Sequence, residues 1–298
     1  MTAETTLFET TDELGDPPRH VHRLTVTDES EWRRLVERIQ CAKSCLDRIL
    51  NFRAEDEVTS EDRDWARQQR IDVEKAPIGT GITGFQFLRV VVGSFYEPSN
   101  NERVLTRVPS WSVIGWNRCR HKADDCAQAQ CIREAKMDLG TVAGEGSAWW
   151  LSPLPLLEVH ESHNRVEMHA KYFNEILVNL QVAPYPDPST LRLRRVVGAD
   201  CLLALTYTDP YGRSHTELLP FPELSIPVFE RLGVNVRSWW LPWPSRATVR
   251  AIASSVADEA RPRLRLRIAL AFRPNRLRAE LLKLVLHNKK YSATPRGF

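Results

Sequence analysis

Near its C-terminal end the chain reads Arg261-Pro262-Arg263-Leu264-Arg265-Leu266-Arg267-Ile268-Ala269-Leu270-Ala271-Phe272, and this alternation constrains the fold more than any other segment. Successive side chains of a strand leave opposite faces. Arg263, Arg265 and Arg267 therefore share one face, while Leu264, Leu266, Ile268, Leu270 and Phe272 share the other. Such a strand needs a core on one side and water or a charged partner on the other, which antiparallel sheets commonly provide and all-parallel sheets do not. Thr190 to Val197 repeats the device, with Leu191 and Leu193 opposed to Arg192 and Arg194.

Helical signals accompany the strands. Asp28 followed by Glu31 reads as a capping box, and Trp32, Leu35, Val36, Ile39, Ala42, Leu46, Ile49 and Leu50 then keep one helical face. Ser60 to Arg70 predicts a second, polar helix anchored by Trp65. Asn164 with Glu167 opens another, whose buried stripe is Val166, Ala170, Phe173, Ile176, Leu177 and Leu180. Further helices are expected over 122–138, near Pro227 to Leu232, over Ser245 to Ala257 and over Pro274 to His287.

Phe85 to Tyr96, with Val90, Val91 and Val92, reads as a strand. Joined to Arg103 to Val108 by the turn chemistry of Glu97 to Glu102, it suggests an antiparallel hairpin within residues 84–117. Gly140 to Pro155 reads as a loop and Leu156 to Glu161 as a short strand. Cys201 to Thr208 and Ser214 to Phe221 form a hairpin about the turn Asp209-Pro210-Tyr211-Gly212. The expectation is an α+β fold of antiparallel hairpins and sheets with helices packed on one side.

A chain of 298 residues is long enough to bury roughly three quarters of its unfolded surface. The proline-spaced run Ala183 to Pro188 is the best internal boundary. It separates an N-terminal α+β region, 25–183, from a basic C-terminal α+β region, 184–298, as two domains or one continuous domain, with 1–24 as an acidic flexible arm. Charge follows this polarity. Residues 1–31 carry a net −6, from eight carboxylates against Arg19 and Arg23, and residues 260–298 carry +10, from eleven Lys and Arg against Glu280. Such asymmetry points to nucleic acid, a membrane surface, or an acidic arm over a basic one.

Met1 to Asp16 lacks the apolar segment of a secretory signal, and no apolar run approaches the roughly 18 residues a membrane span needs. A soluble, cytoplasmic protein without membrane contact is expected. Its six cysteines are then thiols or metal ligands rather than disulfides.

Catalytic patterns are weak. Gly79-Thr80-Gly81-Ile82-Thr83-Gly84 has the letters of a dinucleotide fingerprint, but that loop works between a strand and a helix, and here a strand is expected to follow. Cys41, Cys45, Cys119, His121, Cys126 and Cys131 could supply four zinc ligands, although intervals of seven and five fit no common knuckle. His160, Glu161 and His163 miss the helical spacing of a zinc protease, leaving a looser metal-hydrolase site of Glu158, His160, His163 and Glu167. His169 falls in an apolar stripe and reads as a core histidine, and Ser147 lacks the flanking glycines of a nucleophile elbow. No cofactor is expected.

The binding signals are stronger. If the two arginine-bearing strands share a sheet, Arg192, Arg194, Arg263, Arg265 and Arg267 line one surface suited to phosphate or carboxylate. Arg237, Trp239, Trp240 and Trp243 add aromatic surface beside charge, the mixture used for single-stranded nucleic acid and also for protein interfaces. The leading expectation is a non-enzymatic binding or assembly protein that presents this basic, tryptophan-bearing C-terminal surface to nucleic acid or an acidic protein. The alternative is a metal-dependent hydrolase built on His160 and His163.

Overall fold

The computed structural model describes residues 7–8, 22–24, 26–51, 58–69, 71, 83–93, 95, 103–115, 147–161, 173–196, 199–209 and 211–239. Helix α1 (Glu29–Asn51) follows the expected stripe: Trp32, Val36, Ile39, Ala42, Leu46 and Ile49 are buried. The Val, Ile and Leu side chains among them each contribute about 1.5–3 kcal/mol through apolar burial. The expected capping box gives way to a different use of its residues. Asp28 (φ 55°) starts the helix through its carbonyl, and its carboxylate and that of Glu31 both engage Arg231. Two carboxylates at a helix N-terminus and a cation in the last turn of another helix suit both macrodipoles.

Helix α2 (Ser60–Gln68) opens with the capping box Thr59–Asp62. Helix α3 (Gly84–Val92) replaces the strand and hairpin expected at Phe85 to Tyr96. Thr83 and Gln86 cap it reciprocally, and Gly84, Phe85, Phe87, Leu88, Val90, Val91 and Val92 are all buried. Only Gln86 and Arg89 reach the surface in part, and the β-branched run Val90 to Val92 carries the composition of a strand. Helix α4 (Pro222–Arg231) covers the helix expected near Pro227 and begins earlier, with Pro222 at its start. Pro227 cannot donate to the Glu223 carbonyl four residues back. Arg38 Nη2 donates to that oxygen instead, at 3.2 Å.

Two mixed sheets complete the architecture. The first holds β1 (Leu7–Phe8), β2 (His22–Leu24), β3 (Val104–Pro109), β4 (Val113–Ile114), β5 (Ser147–Ser152), β6 (Leu157–Glu161) and β7 (Glu175–Pro184), in the order β1-β2-β3-β7-β5-β6-β4. The second holds β8 (Arg192–Val196), β9 (Ala199–Thr208), β10 (Ser214–Leu219) and β11 (Val236–Trp239), in the order β10-β9-β8-β11. The α+β class is as expected, but the sheets are not purely antiparallel: β2–β3, β4–β6, β5–β7 and β8–β11 run parallel.

Other elements differ from expectation. β5 lies within the segment read as a loop. β7 carries Ile176, Leu177 and Leu180 as a strand rather than as the end of a helix from Asn164. It pairs with β3 on one edge and β5 on the other, and its residues 176–178 are buried on both faces, so no simple alternation survives. The β9–β10 hairpin is as expected. Asp209 closes its turn by accepting from the backbone N–H groups of Tyr211 and Arg213 and from Arg213 Nε. The expected helices over 122–138, 245–257 and 274–287 and the arginine strand 261–272 lie outside the described residues.

The helix α3 lies between the sheets. At its start, a Cβ on Gly84 would sit 2.5 Å from the Ile114 carbonyl oxygen and 3.4 Å from Glu158 Cγ. At its end, Gly93 (φ +85°) lies against Leu205 and Glu217. The buried C-terminal carbonyls, which have no partner within the helix, are taken by neighbours: Ser225 donates to Val91 O at 2.6 Å and Tyr185 Oη donates to Val92 O.

Candidate functional site

The second sheet brings three of the expected binding residues together. Parallel pairing sets Arg237 of β11 opposite Arg194 of β8, and partnered residues leave the same face of a sheet. Arg192, two residues before Arg194, shares that face. Leu191 and Leu193 point the other way, into the core with Leu203, Leu205 and Phe221. The alternation that predicts a wet arginine face on this strand is therefore realised.

The three arginines line a cleft of about 150 Å³ between β8, β11 and the chain that enters each strand. One wall is the segment at Ser189 and the other is Gly233 to Asn235. Gly233 adopts φ +77° after α4 and carries no neighbouring atoms where a Cβ would stand, so the turn leaves the cleft mouth open. Arg192 and Arg237 are exposed and have no ion-pair partner among the described residues; Arg194 is half-buried and engaged within the molecule. The nearby Asp187 carboxylate accepts the Ser189 N–H at 2.8 Å, which holds its pKa below the ordinary value.

Trp239 ends β11 opposite Val196, two residues beyond Arg237. Trp240, Trp243, Arg263, Arg265 and Arg267 lie outside the described residues. Arg237 is the member whose position relative to Arg194 sequence patterning misses, because β8 and β11 are joined by distant parallel pairing.

A second cluster surrounds Glu158. It lies on β6, whose partner Trp149 and neighbour Gln181 share its face and meet through Trp149 Nε1 to Gln181 Oε1 at 3.2 Å. Glu158 is 2% exposed, and Oε2 has no hydrogen-bond partner among the described residues. Burial pushes its pKa up to about 7, against the opposing effects of the Phe85 N–H and the Lys43 charge. Lys43 itself pairs with Asp47 at 2.5 Å in the same buried region of α1.

This geometry bears on two sequence motifs. Helix α3 begins at Gly84 where a strand is expected, but the described element before Gly79 to Gly84 is helix α2, as expected, and not the strand that a nucleotide loop requires; residues 79–82 lie outside the described residues. Gly84 is required by its contact with Ile114, and the first turn of α3 already donates to the Glu158 carboxyl. The metal-hydrolase set is only partly described: His160 follows Glu158 on β6, while His163 and Glu167 lie outside the described residues.

Cys41 is exposed and Cys45 buried on α1, with burial and the Asp62 carboxylate pushing the Cys45 thiol up to about 12. Such a thiol resists the deprotonation that metal ligation requires. Cys119, His121, Cys126 and Cys131 lie outside the described residues, as does His169. Among the described residues, no group of three or more His, Cys, Asp or Glu could hold a metal ion. Ser147 is buried and accepts from Arg103 Nη1 at 3.0 Å. No helix among the described residues is long and apolar enough to cross a membrane.

Compared with known proteins, the chain matches no family model, no curated protein and no solved structure.

Proposed function

We propose that the protein is a non-enzymatic binding protein that engages single-stranded nucleic acid through the basic face of its C-terminal half. The observation that supports this most is the in-register pair Arg194 and Arg237, with Arg192 beside it, around one open cleft. Guanidinium forks match phosphate oxygens in planar pairs, and a sheet fixes their spacing, so less conformational freedom is lost on binding. The tryptophans that follow Arg237 in sequence, Trp239, Trp240 and Trp243, are of the type that stacks on unpaired bases. On this reading residues 184–298 bind and residues 25–183 support them. A cytoplasmic location is consistent with the reading.

Fluorescence anisotropy with single-stranded RNA, single-stranded DNA and an acidic polypeptide, each across a salt series, tests this. Phosphate contacts from the two exposed arginines, Arg192 and Arg237, on a single strand predict a log–log salt slope of about −1.4. Salt-sensitive binding of either nucleic acid, weakened by Arg192→Gln and Arg237→Gln, is the expected result. Binding of the polypeptide alone would transfer the surface to an acidic protein partner, and no salt-sensitive binding at all would remove the function.

A further inference from the structure

The volume of the cleft sets how much of a ligand it can enclose. At about 150 Å³ it has room for a few waters. Cavities that take whole small molecules are about 300–1,000 Å³. A single tetrahedral oxyanion with one or two waters fills it, whereas a nucleoside joined to its phosphate would extend through the open mouth into solvent. The cleft is therefore dimensioned for one group of a larger ligand.

Charge narrows the group further. Adjacent strands are about 4.8 Å apart and residues two apart on a strand are about 7 Å apart, so the three arginines rise from a compact triangle. Arg192 and Arg237, the exposed pair without ion-pair partners among the described residues, bring two positive charges to its mouth. A phosphodiester supplies one negative charge, while a phosphate monoester carries about −1.5 to −2 at neutral pH with three acceptor oxygens. Asn235, which also lines the cleft, carries an amide able to donate without charge.

We infer that the Arg192–Arg194–Arg237 cleft is a site for a terminal phosphate monoester, and that the protein recognises a phosphorylated strand end. This rests on reading the β8–β11 surface as the nucleic-acid-binding face. The monoester dianion is held by the Arg192 and Arg237 guanidiniums, which leave the same face of the sheet, and the rest of the strand leaves through the open mouth at Gly233. Internal phosphodiesters, flanked on both sides by sugar, cannot enter to the same depth.

The test uses the full chain and short single-stranded oligonucleotides carrying a fluorophore at one end and either a phosphate or a hydroxyl at the other, in both polarities. O-phosphoserine is titrated in parallel. At fixed salt, a terminal phosphate should tighten binding at least tenfold. Arg192→Gln and Arg237→Gln should abolish that gain with little change in thermal melting, since both residues are exposed. Equal affinity for phosphorylated and unphosphorylated ends would overturn the end-recognition site while leaving nucleic-acid binding intact. Binding of O-phosphoserine, lost in the variants, with no binding of any oligonucleotide would retain the monoester site and overturn the nucleic-acid reading. Absence of all binding would overturn both.

Discussion

Arg48 and Asp62 join α1 to α2 through two hydrogen bonds, Nε to Oδ2 at 2.8 Å and Nη2 to Oδ1 at 2.5 Å. The Asp62 side chain is fully buried and also accepts from the Thr59 backbone and hydroxyl, so one carboxylate serves as cap and as ion-pair partner.

Burial alone would raise the Asp62 pKa, but the donors from Arg48, Cys45 and Thr59 outweigh it and hold the group at about 2. A carboxyl with a depressed native pKa contributes stability above its ordinary value, and that contribution is lost as pH falls through the native one. Arg48→Met should therefore destabilise the protein by about 3 kcal/mol at pH 7, the scale for removing one partner of a buried pair. It should also flatten the loss of stability between pH 4 and pH 2, measured by urea unfolding across that range.

Glu158 carries the opposite sign. Its native pKa of about 7 lies above the ordinary 4.5, so its stabilising contribution is complete below the ordinary value and disappears as pH rises through 7. The difference corresponds to about 3 kcal/mol. Glu158→Gln keeps the shape and the acceptor for Phe85 N–H without the charge. The variant should gain on wild type as pH is raised from 4.5 to 8, and unfolding curves that stay parallel across this range would contradict the assignment.

The C-terminal end of α3 gives a third prediction. Tyr185→Phe strands the Val92 carbonyl and Ser225→Ala removes the donor to Val91 O. Each should cost about 1–3 kcal/mol, because a buried acceptor loses its donor where water cannot replace it. Denaturant midpoints check this, with an exposed control such as Tyr211→Phe expected to change little.

Gly84→Ala should be more damaging than its one added carbon suggests. The new methyl meets backbone oxygen of β4 at 2.5 Å, and backbone cannot rotate aside as a side chain can. Overpacking of this kind costs about 1–3 kcal/mol. A thermal melt of the variant within a degree of wild type would show that α3 can shift away from the first sheet.

Legibility in the sequence followed exposure. Helix α1 was readable because one face is wet, as were the β9–β10 turn, from Asp209 to Gly212, and the arginine alternation at Arg192 and Arg194. Helix α3 reads as a strand because most of its residues are apolar and buried and Val90 to Val92 are β-branched, although Thr83 and Gln86 at capping-box spacing mark its start. Strand β6 concealed Glu158 similarly: Leu157 and Val159 imply that the residue between them faces water, but both faces are covered. The pairing of Arg237 with Arg194 was invisible for another reason, since a parallel register between separated segments has no local signature.

Strand β3 has a consequence for how the protein is made. Its neighbours are β2, close to the N-terminus, and β7, which ends at Pro184. At ~5–20 residues per second of synthesis, β3 emerges on the order of ten seconds before β7 can exist. During that interval the edge of Val104 to Pro109 that will meet β7 is an unpaired template on the ribosome. Chaperone binding to nascent chains should therefore peak before Pro184 is translated and decline once β7 has docked.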